Sequence, residues 1–217
     1  MAEISAADVM KLRKLTGAGM MDCKSALADA NGDFDRAIEI IREKGKAIAN
    51  KRADREASEG CVLAKVAGKK AGIIVLNCET DFVAKNQGFI DLTEKMLDVA
   101  IASNASNLEE ALALTMDGRT LADHVIEQTG VIGEKIQLSY YSKIEAESVV
   151  AYIHPGNKLA TAIGFNKANV DAQIAKDVAM QAAAMSPIAV DKDDVPAEVV
   201  EKELEIAKEK FRQEGKP

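Results

Sequence analysis

The apolar residues at the start of the chain recur at the three- and four-residue spacing of amphipathic helices. This pattern predicts three helices over residues 1–45, the third ending at Gly45. The apolar side of the first helix is formed by Val9, Leu12 and Leu15. Because helices this short are marginal alone, we expect the three to pack together as a docking module. Residues 46–58 are predicted to form a linker, and the basic stretch Lys44 to Arg55, which includes most of it, is predicted to be a solvated helix.

An internal repeat is the clearest architectural signal in the middle of the chain. The segment from Glu59 to Val75 aligns with the segment from Glu147 to Ile163, and each has the pattern of strand, glycine-containing turn and strand. The matching positions are Glu59 with Glu147, Val62 with Val150, Gly68 with Gly156, Lys70 with Lys158 and Val75 with Ile163. A helical pattern follows each copy. We therefore predict an α+β fold with two duplicated β-hairpin-plus-helix subdomains, residues 59–145 and 146–188, with a chance strand match as the alternative.

Further elements are predicted around the second copy of the repeat. Leu108 to Leu114 and Leu121 to Gln128 have the pattern of short helices, and Lys135 to Tyr141 alternates like a strand. The residues expected on one face of that strand are Ile136, Leu138 and Tyr140. Residues 189–217 are predicted to contain a long charged helix. Its apolar positions recur at coiled-coil spacing, at Val200, Leu204, Ala207 and Phe211.

Composition narrows the classes of function. Apolar residues make up 47% of the chain and aromatic residues only 4%, so the core must consist mainly of aliphatic side chains and Met. The formal net charge of −7 argues against nucleic acid as the main partner, because phosphate contacts need clustered Lys and Arg. No apolar run approaches membrane-spanning length, and the N-terminus lacks a signal-peptide core. We therefore expect a cytoplasmic protein without membrane association.

Candidate catalytic chemistry is sparse. The two histidines, His124 and His154, lie in different segments. The chain has three cysteines, Cys23, Cys61 and Cys78, and none of them form a CxxC pair. An odd number without paired spacing favours free thiols in a reducing compartment over a disulfide or a zinc site. Since no phosphate-binding loop motif is present, we expect no direct nucleotide binding, no cofactor and no enzymatic activity. A thiol enzyme with an exposed, acidic cysteine is an alternative.

The stretch from Asn77 to Lys85 is the most informative about function. An apolar strand pattern stops at the polar pair Thr80 and Asp81, Phe82 follows at once, and helical spacing resumes beyond it. An aromatic ring beside a carboxylate at the end of a strand could insert into another protein. In the alternative, Phe82 packs against its own helix start while Asp81 caps that helix.

The adjacent residues Met20 and Met21 pose a similar question. Neighbouring positions on a helix diverge by about 100°, so both side chains cannot face one small core. We expect at least one of them to be exposed, and a flexible thioether suits an adaptable binding surface. Burial of both in the core is the alternative.

Four segments carry a resemblance to a known family: Leu12–Leu27, Asn77–Lys85, Tyr152–Gly156 and Val195–Glu203. In this order they resemble the elongation factor Ts family, the bacterial nucleotide exchange factors for elongation factor Tu. Family members usually continue beyond the first helix of a coiled-coil protrusion. The chain thus resembles the family without its usual C-terminal part, and residues 189–217 are expected to be the first helix of a truncated protrusion.

The resemblance implies three sets of contacts with elongation factor Tu. The N-terminal module, similar in the family to a ubiquitin-associated fold, docks on the partner's nucleotide-binding domain, and the matching positions here are Arg13, Met20 and Met21. The segment that the family inserts beside the partner's Mg²⁺ and phosphate site corresponds to Thr80, Asp81, Phe82 and Val83. The second hairpin would reach another partner domain through His154 and Gly156.

The function implied by the resemblance is guanine nucleotide exchange. The factor would bind the GDP form of elongation factor Tu, displace Mg²⁺ and promote GDP release so that GTP can bind. The alternative is a ubiquitin-like, ribosome-binding or RNA-binding scaffold without exchange activity, although the negative net charge of the chain argues against RNA binding.

The apolar positions of the last helix could also pair two copies in a homodimer. Since the chain departs from the family pattern at Ser139–Tyr141 and Asn157–Leu159, no contact is assigned to those residues.

Overall fold

A computed structural model describes residues 4–215 of the chain. These residues form two compact units, the first ending at Ala183 and the second beginning at Ala184. Helices and small antiparallel sheets occur together in the first unit, which confirms the predicted α+β class. Both predicted hairpins lie within this first unit, whereas the last five residues of the second predicted subdomain, 184–188, belong to the second unit. The boundary between the two predicted subdomains stays a prediction.

The N-terminal module consists of α1 (Ala6–Thr16), α2 (Met20–Asp29) and α3 (Phe34–Lys51). Its buried core includes Leu12, Cys23, Leu27, Ala37 and Ile41. The prediction that Leu15 faces this core was wrong, since its side chain is 61% exposed. Thr16 is buried instead, and its hydroxyl donates to the Leu12 carbonyl oxygen at 2.9 Å. This intrahelical bond satisfies the buried hydroxyl, so a polar residue takes the inward position.

The third helix does not end at Gly45, as the sequence predicted, but continues to Lys51. Gly45 is buried where α3 crosses a later helix, α7 (Leu121–Ile132). A Cβ atom on Gly130 of α7 would lie only 2.4 Å from the Gly45 Cα. The two helices therefore pack closely at this point, where position 130 has no room for a side chain, and Gly45 lies inside α3 rather than at its end. The first part of the predicted linker, residues 46–51, is accordingly helical.

The close packing of Gly45 against Gly130 predicts that glycine-to-alanine substitutions at these two positions change the free energy of unfolding in opposite directions. Gly130→Ala should lower the free energy of unfolding by about 1–2 kcal/mol, because overpacking outweighs the gain in helix propensity. Gly45→Ala should instead raise it by up to about 1 kcal/mol, because its Cβ would meet atoms no closer than 3.7 Å. Urea unfolding of both variants measures the two values. Equal changes of the same sign would contradict the described crossing.

The first hairpin forms a three-stranded antiparallel sheet with a later strand. β1 (Glu59–Ala67) pairs with β2 (Lys70–Cys78), and β2 pairs with β5 (Gln137–Glu145). Helix α5 (Gln87–Ala102) covers β1 and β2. The core between helix and sheet includes Ile74, Leu76, Phe89, Met96 and Leu97, all almost completely buried. This core supports the end of β2, where the candidate site begins.

A β-bulge changes which residues of β5 face the core. Ile136 and Leu138 are buried as predicted, but Tyr140 is 49% exposed and Tyr141 is only 3% exposed. Leu76 pairs with Leu138 while Val75 pairs with Tyr140, so Ser139 is the extra residue between the two pairs. One inserted residue reverses the alternation of faces beyond it. The prediction that Tyr140 faces the core was therefore wrong.

The second predicted hairpin is present as β6 (Ser148–Ile153) and β7 (Ala160–Phe165), followed by α8 (Ala172–Met185). Val62 pairs with Val75 in the first hairpin, and Val150 pairs with Ile163 in the second. The repeat alignment matches these same four positions, so the two hairpins share one cross-strand register. This agreement supports duplication over a chance match of strand patterns.

The two hairpins also contact one another reciprocally. At the tip of the first, Lys69 Nζ lies 2.8 Å from a Glu147 carboxylate oxygen at the start of the second. At the tip of the second, Lys158 Nζ lies 2.8 Å from a Glu59 carboxylate oxygen at the start of the first. The Val62 N–H also donates to the Asn157 carbonyl oxygen at 2.7 Å. The turn of the second hairpin is thus fastened beside the start of β1.

The segment between α5 and β5 contains both predicted short helices. They are α6 (Leu108–Leu112) and α7, which extends four residues beyond the predicted Gln128. A small hairpin that the sequence pattern did not reveal, β3 (Thr115–Met116) and β4 (Arg119–Thr120), lies between them. Two-residue strands carry too few positions for their alternation to be recognised.

The second unit contains a short 3₁₀ turn, Lys192–Asp194, and the helix α9 (Ala197–Gln213). A long helix in this region is confirmed. Val200 and Leu204 are 43% and 52% exposed, so the predicted apolar stripe is largely at the surface. Within residues 4–215, no helix is long and apolar enough to cross a membrane.

Candidate partner-binding site

Phe82 is the most exposed aromatic ring beside the sheet, with 83% of the residue accessible. It lies in the single-turn helix α4 (Asp81–Ala84), which follows the end of β2. Ala84 is buried and Val83 packs against the core, so these residues anchor the turn. Since successive helical residues diverge by about 100°, Phe82 is directed outwards. The alternative that Phe82 packs against its own helix start was wrong.

Thr80, rather than Asp81, caps this turn. The Thr80 hydroxyl accepts the Val83 N–H at 3.5 Å. The Asp81 carboxylate accepts instead from Lys85 Nζ at 2.6 Å. Hydrogen bonding to Lys85 lowers the pKa of Asp81 below its ordinary value, and the positive charge of Lys158 adds to the effect. An ionised carboxylate therefore lies next to the exposed ring at neutral pH.

The turn is held from behind by a second carboxylate. Glu134 follows Gly133, which ends α7 in the left-handed conformation at φ +79°. Its carboxylate accepts the N–H of Glu79 at 3.1 Å, the N–H of Thr80 at 3.0 Å and the Thr80 hydroxyl at 2.7 Å. These three bonds fix the chain immediately before Asp81.

The carboxylate of Glu79 in turn binds the chain that follows α7. It accepts the Lys135 N–H at 2.6 Å and an Arg52 guanidinium N–H at 2.7 Å. Lys135 Nζ also donates to the carbonyl oxygens of Ala53 and Arg55. We call Arg52, Glu79, Thr80, Glu134 and Lys135 the junction, because they join the chain leaving α3, the chain preceding α4 and the chain leaving α7. Nothing in the sequence pattern marked Glu79 or Glu134 as a candidate for function, because their contacts join distant segments.

The charge of Glu79 should make the stability of the junction depend on pH. The Lys135 N–H and then the Arg52 guanidinium hold the pKa of Glu79 below its ordinary value of 4.5. A lowered folded-state pKa means that the carboxylate stabilises the fold above the unfolded-state pKa, and that this contribution is lost as pH falls through the folded-state pKa.

We therefore expect Glu79→Gln to lower the free energy of unfolding at pH 7. The difference from the parent chain should shrink as the pH falls below about 4.5, because the parent then loses the same charge. Urea unfolding at a series of pH values, over the range where both proteins remain folded, measures this difference. A difference that stays constant across the series would contradict a charge effect.

The three docking-module positions lie at the surface. Arg13 is exposed, and Met20 and Met21 are 48% and 75% exposed, so the expectation that at least one Met is exposed is confirmed. Leu15, on the other side of the Thr16–Gly19 turn, adds an exposed apolar side chain that sequence analysis placed in the core. Two exposed thioethers and an exposed leucine, on either side of one turn, are apolar groups suited to contact with a protein partner.

The turn of the second hairpin lies close to Asp81. His154 and Gly156 are both exposed, and Gly156 adopts φ +94°. The His154 Nδ1 atom and the Tyr152 hydroxyl oxygen are hydrogen-bonded at 2.9 Å. Lys158 in the same turn acts electrostatically on Asp81. The structure therefore places His154, Gly156 and the Asp81–Phe82 pair at one end of the β1–β2 hairpin.

The remaining candidate groups do not suit catalysis. Cys23, Cys61 and Cys78 are free and buried, and burial raises the pKa of Cys61 and of Cys78 to about 11. Such thiols are poor nucleophiles, which contradicts the thiol-enzyme alternative. His124 is buried, with Nε2 at 2.8 Å from the Met116 carbonyl oxygen. Across the described part of the chain, no three His, Cys, Asp or Glu side chains are grouped to hold a metal.

Comparison with known proteins gives a consistent set of relatives. The sequence model of the family described as Elongation factor TS matches residues 79–217. An elongation factor Ts of Azobacteroides pseudotrichonymphae is 51% identical over 210 residues, which are 97% of this chain and 77% of the relative. An elongation factor Ts of Porphyromonas gingivalis is 54% identical with the same coverage of both chains. One of Bacteroides fragilis is 56% identical over 212 residues, covering 97% of this chain and 64% of the relative.

Proposed function

The chain belongs to the elongation factor Ts family, and from that premise we propose that it is a guanine nucleotide exchange factor for elongation factor Tu in translation elongation. The observation that supports the proposal most is the exposure of Phe82, 83% accessible on a turn anchored to the sheet. A large apolar ring at the surface of a rigid element is the usual anchor of a protein interface.

In the proposed mechanism, the Phe82 turn enters the partner beside its Mg²⁺ and phosphate site. The ring would wedge between partner helices, Asp81 would engage groups near the metal, and Thr80 and Val83 would set the path of the turn. Mg²⁺ requires nearly ideal octahedral geometry, so a small displacement of its surroundings weakens nucleotide binding. The metal and the nucleotide both belong to the partner, and this chain acts by binding, without covalent chemistry.

Two further surfaces would orient the complex. We propose that Arg13, Met20 and Met21 contact the partner's nucleotide-binding domain, and that His154 and Gly156 contact another partner domain. Likeness of the N-terminal module to a ubiquitin-associated fold stays a prediction. So does pairing of two copies through the α9 stripe. Action on a translation factor implies a cytoplasmic location.

The energetics are those of linkage between two ligands of one protein. If the factor binds the nucleotide-free partner more tightly than the GDP-bound partner, GDP must bind the factor-bound partner more weakly by the same ratio. The factor thus lowers GDP affinity without consuming energy, and the more abundant nucleotide then refills the site. Exchange follows from differential binding alone.

The proposed function is tested by the release of a fluorescent GDP analogue from the cognate elongation factor Tu. We expect addition of the chain to accelerate release and the rate to saturate with factor concentration. The scaffold alternative predicts salt-sensitive RNA binding with no change in the release rate. An unchanged rate at all factor concentrations would overturn the proposed function.

A further inference from the structure

We infer that Glu134 is a positioning residue for nucleotide exchange, which acts by fixing the backbone that carries Asp81 and Phe82. The inference rests on the proposed function and extends it to a residue that does not itself lie in the exposed turn. It is carried by the three hydrogen bonds that the Glu134 carboxylate accepts from Glu79 and Thr80.

These three bonds together fix the position of the backbone at Glu79 and Thr80. One carboxylate oxygen accepts two consecutive backbone N–H groups, from Glu79 and Thr80, and the other accepts the Thr80 hydroxyl. Thr80 is also the residue that caps α4, so Glu134 holds the cap as well as the chain before it. Hydrogen bonds to an ionised acceptor are the stronger kind, and both N–H groups would lose their acceptor without it.

The position of Glu134 is fixed in turn by the two residues on either side of it, Gly133 and Lys135. Gly133 ends α7 in the left-handed conformation, which directs the following residue away from the helix axis. The next residue, Lys135, donates its N–H to Glu79 at 2.6 Å and its Nζ to the Ala53 and Arg55 carbonyl oxygens. Glu134 is therefore attached both to α7 and to the chain leaving the docking module.

The turn itself has few internal supports. Helix α4 has only four residues, and the Thr80 cap bond to Val83 is long at 3.5 Å. A helix of this length is not stable alone. If the junction loosens, residues 80–83 should sample several conformations, and only a fraction of them would present Phe82 correctly. The rate of exchange in the factor-bound complex falls with that fraction.

The first experiment measures the mobility of residue 82 directly. The chain contains no tryptophan, so Phe82→Trp introduces a single reporter. We expect Glu134→Ala to increase the amplitude of fast anisotropy decay of that tryptophan at least about twofold. Glu110→Ala is the matched control, since Glu110 accepts a similar pair of bonds from Ser106 at another helix start. Equal decays in the three proteins would overturn the inference.

The second experiment separates positioning from general damage. At saturating factor, Glu134→Ala should lower the stimulated GDP release rate by roughly tenfold, with less than about twofold change in the half-saturating concentration. In a Phe82→Ala background the same substitution should change the rate by less than about twofold, because the group that it positions is absent. Equal losses in both backgrounds would indicate unfolding and overturn the inference.

The conservative variant Glu134→Gln tests whether the hydrogen bonds alone restore the exchange rate. In Glu134→Gln the amide oxygen can still accept both N–H groups, and the amide nitrogen can donate to the Thr80 hydroxyl oxygen. We expect release rates within about twofold of the parent chain, whereas a loss equal to that of Glu134→Ala would overturn positioning by hydrogen bonds. If the parent chain itself fails to stimulate release, the proposed function fails, while the anisotropy comparison still decides whether Glu134 holds the turn.

Discussion

Phe82→Ala should lower the GDP release rate at saturating factor by at least about tenfold. Truncation of a central aromatic anchor typically costs about 2–4 kcal/mol, and here the lost contact is made only when the turn has entered the partner. Because the ring is 83% exposed in the free chain, its removal should leave the free energy of unfolding nearly unchanged. Stopped-flow release of a fluorescent GDP analogue measures the rate, and urea unfolding checks the fold.

Two matched variants make the Phe82 result specific. Tyr140→Ala removes another exposed aromatic side chain, 49% accessible on β5, and should leave the rate within about twofold of the parent chain. Phe82→Leu keeps apolar volume and should fall between the parent chain and Phe82→Ala. The wedge assignment fails if Phe82→Ala exchanges nucleotide as fast as Tyr140→Ala.

Loss of both docking methionines should have a different kinetic signature. Met20→Ala together with Met21→Ala should raise the half-saturating factor concentration by about tenfold or more, because two exposed apolar contacts are removed from the interface. The rate at saturation should change by less than about twofold, since the Phe82 turn is intact. Titrating the factor against a fixed concentration of the GDP-bound partner separates the two parameters.

The control for this double variant is Met180→Ala on α8, where a methionine is 41% exposed, close to the 48% of Met20. Its half-saturating concentration should match that of the parent chain. The docking assignment would be wrong if the double variant lowered the saturated rate and left the half-saturating concentration unchanged.

Local patterns were sufficient to predict most helices and strands. The spacing of apolar residues located α1 and α2, and the internal repeat located both hairpins with their shared register. The exposure of Phe82 could be proposed but not decided, because an aromatic residue after a strand can equally pack inwards. Only the three-dimensional contacts of Val83 and Ala84 show that its neighbours anchor the turn.

Features that depend on distant parts of the chain could not be predicted in this way. Gly45 has the local pattern of a helix stop, and its packing against Gly130, 85 positions later, left no sign in that pattern. Tyr140 follows the alternation of its strand until the bulge beside Val75 reverses it. Glu134 lies 54 positions from Thr80, so its three hydrogen bonds left no signal in either segment.

The central claim is that this chain and GDP bind elongation factor Tu antagonistically. The most direct test measures the affinity of the chain for elongation factor Tu by titration calorimetry, first without nucleotide and then with saturating GDP and Mg²⁺. Linkage predicts weaker binding with GDP, by the same factor by which the chain weakens GDP affinity. Equal affinities in the two titrations would contradict the account.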